Sequence, residues 1–375
     1  MEMYDLTAMG ELLIDFTQLS TDGEGYPTLA AHPGGAPGNF LAALCRYGAS
    51  AAFLGKVGDD AFGRLLVDTL ARAGIETRGI RVDPTVFTTL AFVTLVDGER
   101  SFSFARKPGA DTLLRFDELE LSLIDQSRAF HFGALSLTDE PARSATRQAV
   151  AYARAQGKLV TFDPNYRPPL WRSEAQARAE TLWGLEQADV VKLSDEELSF
   201  LWGCTPEEGA RRLLEECGCT VIAIPCNTSH YFVDRIQQEI GIPILHMIRE
   251  TARTLVAQGK RRPAILATDG TIRTGLYQKE CAAFGLEAAP PEPAVQRLVM
   301  SIIYEEIKRG ERGSREKFAQ IDRALASMGC DCAILGCTEL SVFRSYHSLP
   351  PFYVDAMEVL AELAVVRCGK QLRTI

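Results

Sequence analysis

Short apolar runs recur along the chain, and longer stretches with helical periodicity separate them. The runs are rich in Val, Ile, Leu and Phe and lack the strict alternation of a strand with one solvated face. Runs of this kind are typical of strands in parallel sheets, which are covered on both faces. They are AAFLGKV (51–57), KLVTFDP (158–164), ADVVKLS (188–194), TVIAIPC (220–226), RPAILAT (262–268) and CAILGC (332–337).

The stretches between the runs have the apolar spacing of amphipathic helices. Alternation of strand and helix predicts an α/β fold with doubly wound parallel sheets, in which ligands bind at the carboxyl ends of the strands. The sequence leaves open whether the two halves of the chain share one sheet. The predicted helices are Asn39–Tyr47, Asp60–Arg72, Glu140–Gln156, Ser194–Trp202, Pro206–Glu216, Val295–Lys308 and Arg315–Met328.

Composition changes near position 205 and predicts two segments of different origin. Residues 1–200 hold 19 Lys and Arg against 28 Asp and Glu, whereas the remainder holds 21 of each. Cys45 is the one cysteine before Cys204, although the chain has ten. We therefore place one domain at 1–217 and a second at 218–375.

Charge and hydropathy exclude several classes of function. The net charge of −9 disfavours nucleic acid and anionic membrane surfaces as partners. Apolar runs are too short to span a bilayer, and no basic region precedes the first one. Reduced cysteines without CxxC spacing favour a cytoplasmic protein without structural zinc. The expected partner is a small molecule, and a homodimer is possible.

Polar and glycine-rich motifs follow the predicted strands of the first segment. His32 to Phe40 reads HPGGAPGNF, a glycine-rich turn that opens a helix, and Asp15 ends the first apolar run. FDPNYR follows a later strand and adds further polar groups. Such a cluster suits a ligand with many hydroxyl groups, although each motif alone is also typical of an ordinary turn.

Together these segments resemble ribokinase-like PfkB sugar kinases, and bacterial fructokinases among them, over about residues 5–215. GELLIDF, GGAPGNFLAALCRYG, GKVGDDAFG, FDPNYRPPLW and VKLSDEELSFLWG occur in family order. The resemblance implies that Asp15, Gly34, Gly35 and Asn39 contact the sugar and that Arg106 closes over it. It also implies an indirect link between Glu197 and magnesium.

The second signature of that family, a GAGD turn that supplies an anion hole and the catalytic base, does not occur in this sequence. Phosphoryl transfer depends on such positioned groups. We therefore expect Mg-ATP as a cofactor only if kinase activity survives. A non-catalytic hybrid with residual sugar binding is the alternative.

Two cysteines occupy similar places in the second segment. Cys226 and Cys337 each follow a predicted strand and precede a predicted helix. A helix N-terminus stabilises a thiolate and is expected to lower the pKa of the thiol. Two such cysteines on opposite faces of a substrate carbon can invert it by proton transfer. Buried structural cysteines are the alternative interpretation.

This segment resembles the cofactor-independent aspartate/glutamate racemases over about residues 213–375. The motifs are IPCNTSHYF, IPILHMIRETA, ILATDGTIRTGLYQ, IIYEEIKRG and ILGCTELS. The resemblance implies that Cys226 and Cys337 are catalytic, without a cofactor, and that an acidic amino acid is the substrate. It further implies substrate contacts from Asn227, Thr228, Thr268, Thr271, Lys308 and Thr338.

The segment lacks the strand, glycine turn and arginine with which that family begins. The sequence therefore predicts a fused chain with a truncated fructokinase-like part and a truncated racemase-like part. Amino-acid racemisation is the first functional hypothesis, because both of its proton-transfer groups are present. Carbohydrate phosphorylation is the second.

Overall fold

The computed structural model describes residues 3–96, 99–205, 208–209, 211–213 and 218–369. Two compact units divide the chain, and the first ends at Gly209. The predicted helix Pro206–Glu216 lies largely outside the described residues. The units are described separately below.

The first unit contains two sheets. Its strands are β1 (Tyr4–Met9), β2 (Leu13–Thr21), β3 (Pro27–Gly34), β4 (Ala51–Gly58), β5 (Ile75–Glu76), β6 (Ile80–Asp83), β7 (Thr89–Val96), β8 (Glu99–Ala105), β9 (Ser127–Gly133), β10 (Leu159–Asp163) and β11 (Val190–Val191). Seven of them form a parallel sheet in the order β11-β10-β9-β1-β4-β5, in which β6 also pairs with β4. The others form a mixed four-stranded sheet, β3-β2-β7-β8.

Helices connect the parallel strands of this unit. They are α1 (Ala36–Arg46), α2 (Ala61–Arg72), α3 (Leu121–Asp125), α4 (Ala142–Ala155), α5 (Glu174–Gln187) and α6 (Asp195–Trp202), with short 3₁₀ turns at Ala110–Leu113, Phe116–Glu118, Ala134–Leu137 and Pro168–Leu170. The side chains of Asp60 and Ser173 cap α2 and α5 by accepting backbone N–H bonds.

The second unit has two smaller parallel sheets. Strands β12 (Ile222–Ala223) and β13 (Ile244–Leu245) form one of them. Strands β14 (Pro263–Leu266), β15 (Cys332–Leu335) and β16 (Tyr353–Asp355) form the other, with β15 in the centre. Each sheet takes its described strands from one unit.

The helices of the second unit are α7 (Val233–Glu239), α8 (Met247–Ala257), α9 (Asp269–Thr274), α10 (Leu276–Ala283), α11 (Pro293–Ser301), α12 (Arg315–Ser327), α13 (Thr338–Tyr346) and α14 (Ala356–Arg367). A 3₁₀ turn at Thr228–Phe232 precedes α7. The predicted helix Val295–Lys308 is interrupted: α11 continues into a π turn at Ile302–Glu306 and a 3₁₀ turn at Ile307–Arg309.

Strand β15 is buried along its whole length. Cys332 and Ile334 pack into one apolar cluster, and Ala333 and Leu335 pack into another on the opposite face. The alternation follows from the two-residue period of a strand between two layers of helices. The prediction of doubly wound parallel sheets is confirmed. Within the described residues, no helix combines the length and apolarity that a bilayer crossing requires.

We expect Ile334→Ala to destabilise the second unit by about 2–5 kcal/mol, because truncation leaves a cavity in a strand packed on both faces. Chemical denaturation monitored by circular dichroism measures the change. Val342→Ala, at a side chain that is 41% exposed, is the control and should cost far less. Equal losses for the two variants would contradict the packing described here.

Candidate functional site

Cys337 lies directly beyond the carboxyl end of β15 and is the N-cap residue of α13. Its Sγ donates a hydrogen bond to Oε2 of Glu339 at 2.8 Å. The hydroxyl of Thr338 donates to the same oxygen at 3.0 Å. A thiol, a hydroxyl and a carboxylate therefore meet at the start of one helix.

The pKa of Cys337 is raised to about 12, first by burial and then by its hydrogen bond to Glu339 and the charge of that carboxylate. The expectation that the helix N-terminus lowers the pKa of this thiol is wrong, because burial and, after it, the adjacent carboxylate oppose the thiolate. Burial also opposes ionisation of Glu339, but hydrogen bonds from Cys337 and Thr338 and the charge of Lys308 lower the pKa of its carboxyl overall.

Cys226 occupies a different environment. It is exposed, and the preceding strand already ends at Ala223. Its carbonyl oxygen accepts a hydrogen bond from Nδ1 of His230 at 2.8 Å, while Nε2 of that ring accepts from the backbone N–H of Met247 at 2.9 Å. His230 thus holds the loop in place as a neutral ring, and burial lowers its pKa.

Asn227 follows Cys226 and is buried. Its Oδ1 accepts a hydrogen bond from the hydroxyl of Tyr277 at 2.5 Å. Because the carbonyl oxygen of the amide is engaged in this way, the NH₂ group is the end that can donate to a ligand.

A row of hydroxyl groups extends from the Cys226 loop to the loop after β14. Oγ1 of Thr271 lies 3.2 Å from Oγ1 of Thr228 and 3.2 Å from Oγ1 of Thr268. Nε2 of Gln296 fixes the second loop by donating to the carbonyl of Ala267 at 3.0 Å and to Oδ1 of Asp269 at 2.8 Å.

Lys308 lies in the 3₁₀ turn that follows the π turn. Its Nζ is 3.7 Å from Oε1 of Glu339 and 4.0 Å from the centre of the Tyr304 ring. The half-exposed ammonium is therefore held between an aromatic face and the carboxylate that contacts Cys337. Two groups of predicted residues are thus connected by side-chain contacts: Thr228, Thr268 and Thr271 in one, and Lys308, Cys337 and Thr338, through Glu339, in the other. Cys226 and Asn227 directly precede Thr228 in the chain.

The first unit brings Asp15 next to the glycine-rich turn. Asp15 lies on β2, opposite His32 of β3, and a methyl group at Gly34 would overlap its Oδ2. Burial raises the pKa of Asp15, although the charges of Arg167 and His32 act in the opposite direction. Gly35 adopts φ 112°, and a methyl group added there would overlap the carbonyl oxygen of Glu11, so only glycine fits this position without strain.

The other predicted sugar contacts differ in exposure. Asn39 is exposed on the first turn of α1. Arg106 is buried, and its guanidinium donates to Oδ2 of Asp111 at 2.8 and 2.7 Å, to the hydroxyl of Thr138 at 2.8 Å and to the carbonyl of Leu135 at 2.9 Å. These bonds make Arg106 part of the internal support of the unit.

Glu197 is fully engaged within the protein. Its Oε1 accepts from the backbone N–H of Tyr166 at 2.9 Å, and its Oε2 accepts from that of Ser194 at 2.7 Å as part of a capping box. Lys192 adds an ion pair at 3.7 Å. These contacts do not suit a direct magnesium ligand, and the indirect link of Glu197 to magnesium stays a prediction. In the part of the chain that the structure describes, no group of three or more His, Cys, Asp or Glu side chains could hold a metal ion.

Family comparisons match both parts of the chain. Residues 3–224 match the model of the pfkB family carbohydrate kinases. This chain belongs to the pfkB family of carbohydrate kinases. Residues 203–364 of this pfkB-family chain match the model of the Asp/Glu/Hydantoin racemases. The prediction of a chain that joins a kinase-like part to a racemase-like part is confirmed.

Relatives of the pfkB part are fructokinases. Probable fructokinase-3 from Arabidopsis thaliana is 46% identical over 199 residues, which is 52% of this chain and 58% of that protein. Fructokinase-2 from Solanum lycopersicum is 45% identical over 203 residues, 53% of this chain and 61% of that protein. The pfkB-family chain thus spans about three fifths of the length of these curated relatives.

Solved structures agree with this assignment. Fructokinase from Xylella fastidiosa aligns with a TM-score of 0.51 at 39% identity, covering 53% of this chain and 62% of that one. Fructokinase from Vibrio cholerae O395, in a form with bound fructose, ADP and calcium ion, aligns with a TM-score of 0.51 at 32% identity, covering 58% and 68%.

Sequence reasoning missed three residues that support these sites. Glu339 was visible as the acidic residue of the CTE motif. Glu11, a carboxylate inside an apolar run, accepts the backbone N–H of Ala36 at 3.0 Å, and burial raises its pKa to about 7. Tyr277 gave no signal beyond its place in the LYQ motif, because its partner lies in a distant loop.

We expect Glu339→Gln to accelerate alkylation of Cys337 by iodoacetamide at pH 8. Removal of the carboxylate lowers the pKa of the thiol from about 12 and so raises the thiolate fraction, by about tenfold for each pKa unit. Peptide mass spectrometry measures the rate. Glu358→Gln is the control, since that carboxylate pairs with Arg344 at 2.7 Å. Equal rates in wild type and Glu339→Gln would disprove the electrostatic role of Glu339.

Proposed function

We propose that the second unit is a two-cysteine amino-acid racemase that acts at the α-carbon of aspartate or glutamate without a cofactor. The observation that carries this proposal is the hydrogen bond at 2.8 Å from the Cys337 thiol to Glu339. It provides a protonated acid with an adjacent proton acceptor at the end of a buried strand. The match to the racemase family supports the same chemistry.

The reaction needs one base and one acid on opposite faces of the substrate. In the first direction, the Cys226 thiolate removes the α-proton and the Cys337 thiol donates its proton to the opposite face. The raised pKa of Cys337 favours its resting state as the acid. The product leaves Cys226 as a thiol and Cys337 as a thiolate, so the proton count balances.

The starting state returns when the exposed Cys226 thiol releases its proton to water and the Cys337 thiolate takes one from water by way of Glu339. A Cys337 thiolate beside an ionised Glu339 is unfavourable, because its negatively charged Sγ would then lie 2.8 Å from a negatively charged oxygen, Oε2 of Glu339. Protonation of Glu339 relieves this repulsion. The ammonium of Lys308 lies 3.7 Å from Oε1 of Glu339. Its positive charge offsets the negative charge at Cys337 and Glu339, whether the thiol is protonated or ionised.

Side chains near each of the two cysteines supply hydrogen-bond donors for the carboxylates of the substrate. The amide NH₂ of Asn227 and the hydroxyl groups of Thr228, Thr268 and Thr271 bind the α-carboxylate and amine. Thr338 adds a hydroxyl beside Cys337. Lys308 pairs with the side-chain carboxylate, and this pairing selects acidic amino acids.

We expect Cys226→Ser and Cys337→Ser each to lower inversion of aspartate or glutamate by at least about 100-fold, because each removes one of the two proton-transfer groups. Chiral chromatography together with deuterium incorporation from D₂O measures both inversion and exchange. Cys368→Ser, at an exposed cysteine in the C-terminal region, should retain activity. Survival of activity in both single variants would refute the assignment.

A second proposal concerns the first unit, which we infer binds a hexose such as fructose. The observation that favours it is the contact of Asp15 with the Gly34 turn, which places a carboxylate where hydroxyl groups can donate. The relatives of this part are fructokinases. No step through Mg-ATP is derived, because both carboxylate oxygens of Glu197 are bound to backbone N–H groups and the sequence contains no GAGD turn.

We expect Asp15→Asn to weaken fructose binding about tenfold, because it replaces a charge-assisted acceptor with a neutral amide. Isothermal titration calorimetry measures the affinity. Asp59→Asn, at an exposed aspartate that pairs with Arg64, should bind fructose as wild type does.

A coupled assay for ADP release should show no fructose phosphorylation by the wild-type chain. Turnover of about 1–1,000 s⁻¹, the ordinary enzyme range, would refute this part of the proposal.

A further inference from the structure

Tyr277 is the second residue of α10, a helix that begins directly after Gly275 in its left-handed conformation. Its side chain is fully buried in the apolar cluster that also contains Ile334 of β15. The hydroxyl is the single polar group of this side chain, and it donates to Oδ1 of Asn227 at 2.5 Å. A buried hydroxyl requires such a partner, so the bond constrains both residues.

The ring of Tyr277 touches a second loop. A methyl group at Gly336 would lie 2.9 Å from Cε2 of the tyrosine, so the backbone of Gly336 rests on the ring. The N–H of Gly336 donates to the carbonyl of Leu266 at 2.8 Å, which fixes the peptide from the other side. Gly336 immediately precedes Cys337.

One side chain therefore contacts the neighbours of both candidate catalytic cysteines. Asn227 follows Cys226, and Gly336 precedes Cys337. The contacts differ in kind, since one is a hydrogen bond with a fixed direction and the other is close packing. Burial keeps the pKa of Tyr277 well above its usual value, so the hydroxyl remains a donor throughout the neutral range.

We propose that Tyr277 is a positioning residue that sets the spacing between the two cysteine loops and orients the amide of Asn227 toward the substrate carboxylate. This inference rests on the racemase function proposed above. In this role, the hydroxyl of Tyr277 orients the amide of Asn227, and its ring supports the backbone of Gly336, directly before Cys337. Misplacement of reacting groups by about 1 Å costs about 100-fold in rate, so the spacing matters for proton transfer.

The test compares Tyr277→Phe with Tyr353→Phe in the full chain. Tyr353 is a matched control in the same unit, because it is also buried and its hydroxyl donates to Oδ1 of Asp322 at 2.7 Å. We expect Tyr277→Phe to raise KM for aspartate or glutamate by about tenfold and to lower kcat less, since the amide of Asn227 loses its orientation while the ring still packs against Gly336 and both thiols remain. Tyr353→Phe should leave both constants unchanged.

A readout without turnover separates this proposal from the proposed function. The rates at which iodoacetamide alkylates Cys226 and Cys337 are measured by peptide mass spectrometry in all three proteins. We expect Tyr277→Phe to change at least one of these rates by a factor of about three or more, because the hydrogen bond that restrains the Cys226 loop is lost. Tyr353→Phe should match wild type.

The outcomes are distinct. Absence of inversion in wild type, with altered alkylation in Tyr277→Phe, rejects the racemase function but supports the positioning role. Wild-type alkylation and wild-type KM in Tyr277→Phe overturn the positioning role, even if melting temperature falls as much as in Tyr353→Phe. Altered alkylation in both variants also overturns it, because the effect would then be general loosening of the unit.

Discussion

A strand that is buried on both faces can present chemistry only at its ends. Strand β15 follows this constraint, because all of its side chains pack into two apolar clusters. The first polar group available after it is the thiol of Cys337. The same holds for β14, which is followed by Thr268 and Thr271. The candidate site of the second unit is therefore a direct result of parallel strands that end side by side.

Sequence patterns predicted β4, β14 and β15 well, because burial on both faces leaves a plain apolar signal. The apolar runs at 188–194 and 220–226 form strands of two residues each, and none of those residues is buried. Sequence patterns failed where an interaction joins distant parts of the chain or opposes a local rule. The helix N-terminus at Cys337 is visible in the sequence, but burial of the thiol and the carboxylate of Glu339 together outweigh its effect on the pKa. Tyr277 was not recognised, because no spacing rule relates it to Asn227. The π turn was missed because helical periodicity alone does not reveal one added residue.

The two units differ in how their polar groups are used. In the first unit, the side chains of Arg106 and Glu197 form hydrogen bonds with other groups of the protein. In the second unit, Lys308 and the Cys337 thiol both contact the carboxylate of Glu339, and the thiol lies just beyond the end of β15. Internally satisfied groups stabilise a fold, whereas groups that share a partner can change protonation state during a reaction. The contrast explains why the racemase hypothesis has the stronger structural basis.

The π turn at Ile302–Glu306 uncouples chain length from side-chain direction. A π turn accommodates one added residue within an α-helix, because its hydrogen bonds span five residues instead of four. Loss of one residue here would restore regular helix geometry and leave the residues on either side in place. Lys308 would then keep its position beside Glu339, although it would lie one residue closer to α11 along the chain. Related chains that differ here by a single-residue gap can therefore present their lysine to the same carboxylate, and a count of residues alone would suggest that they differ.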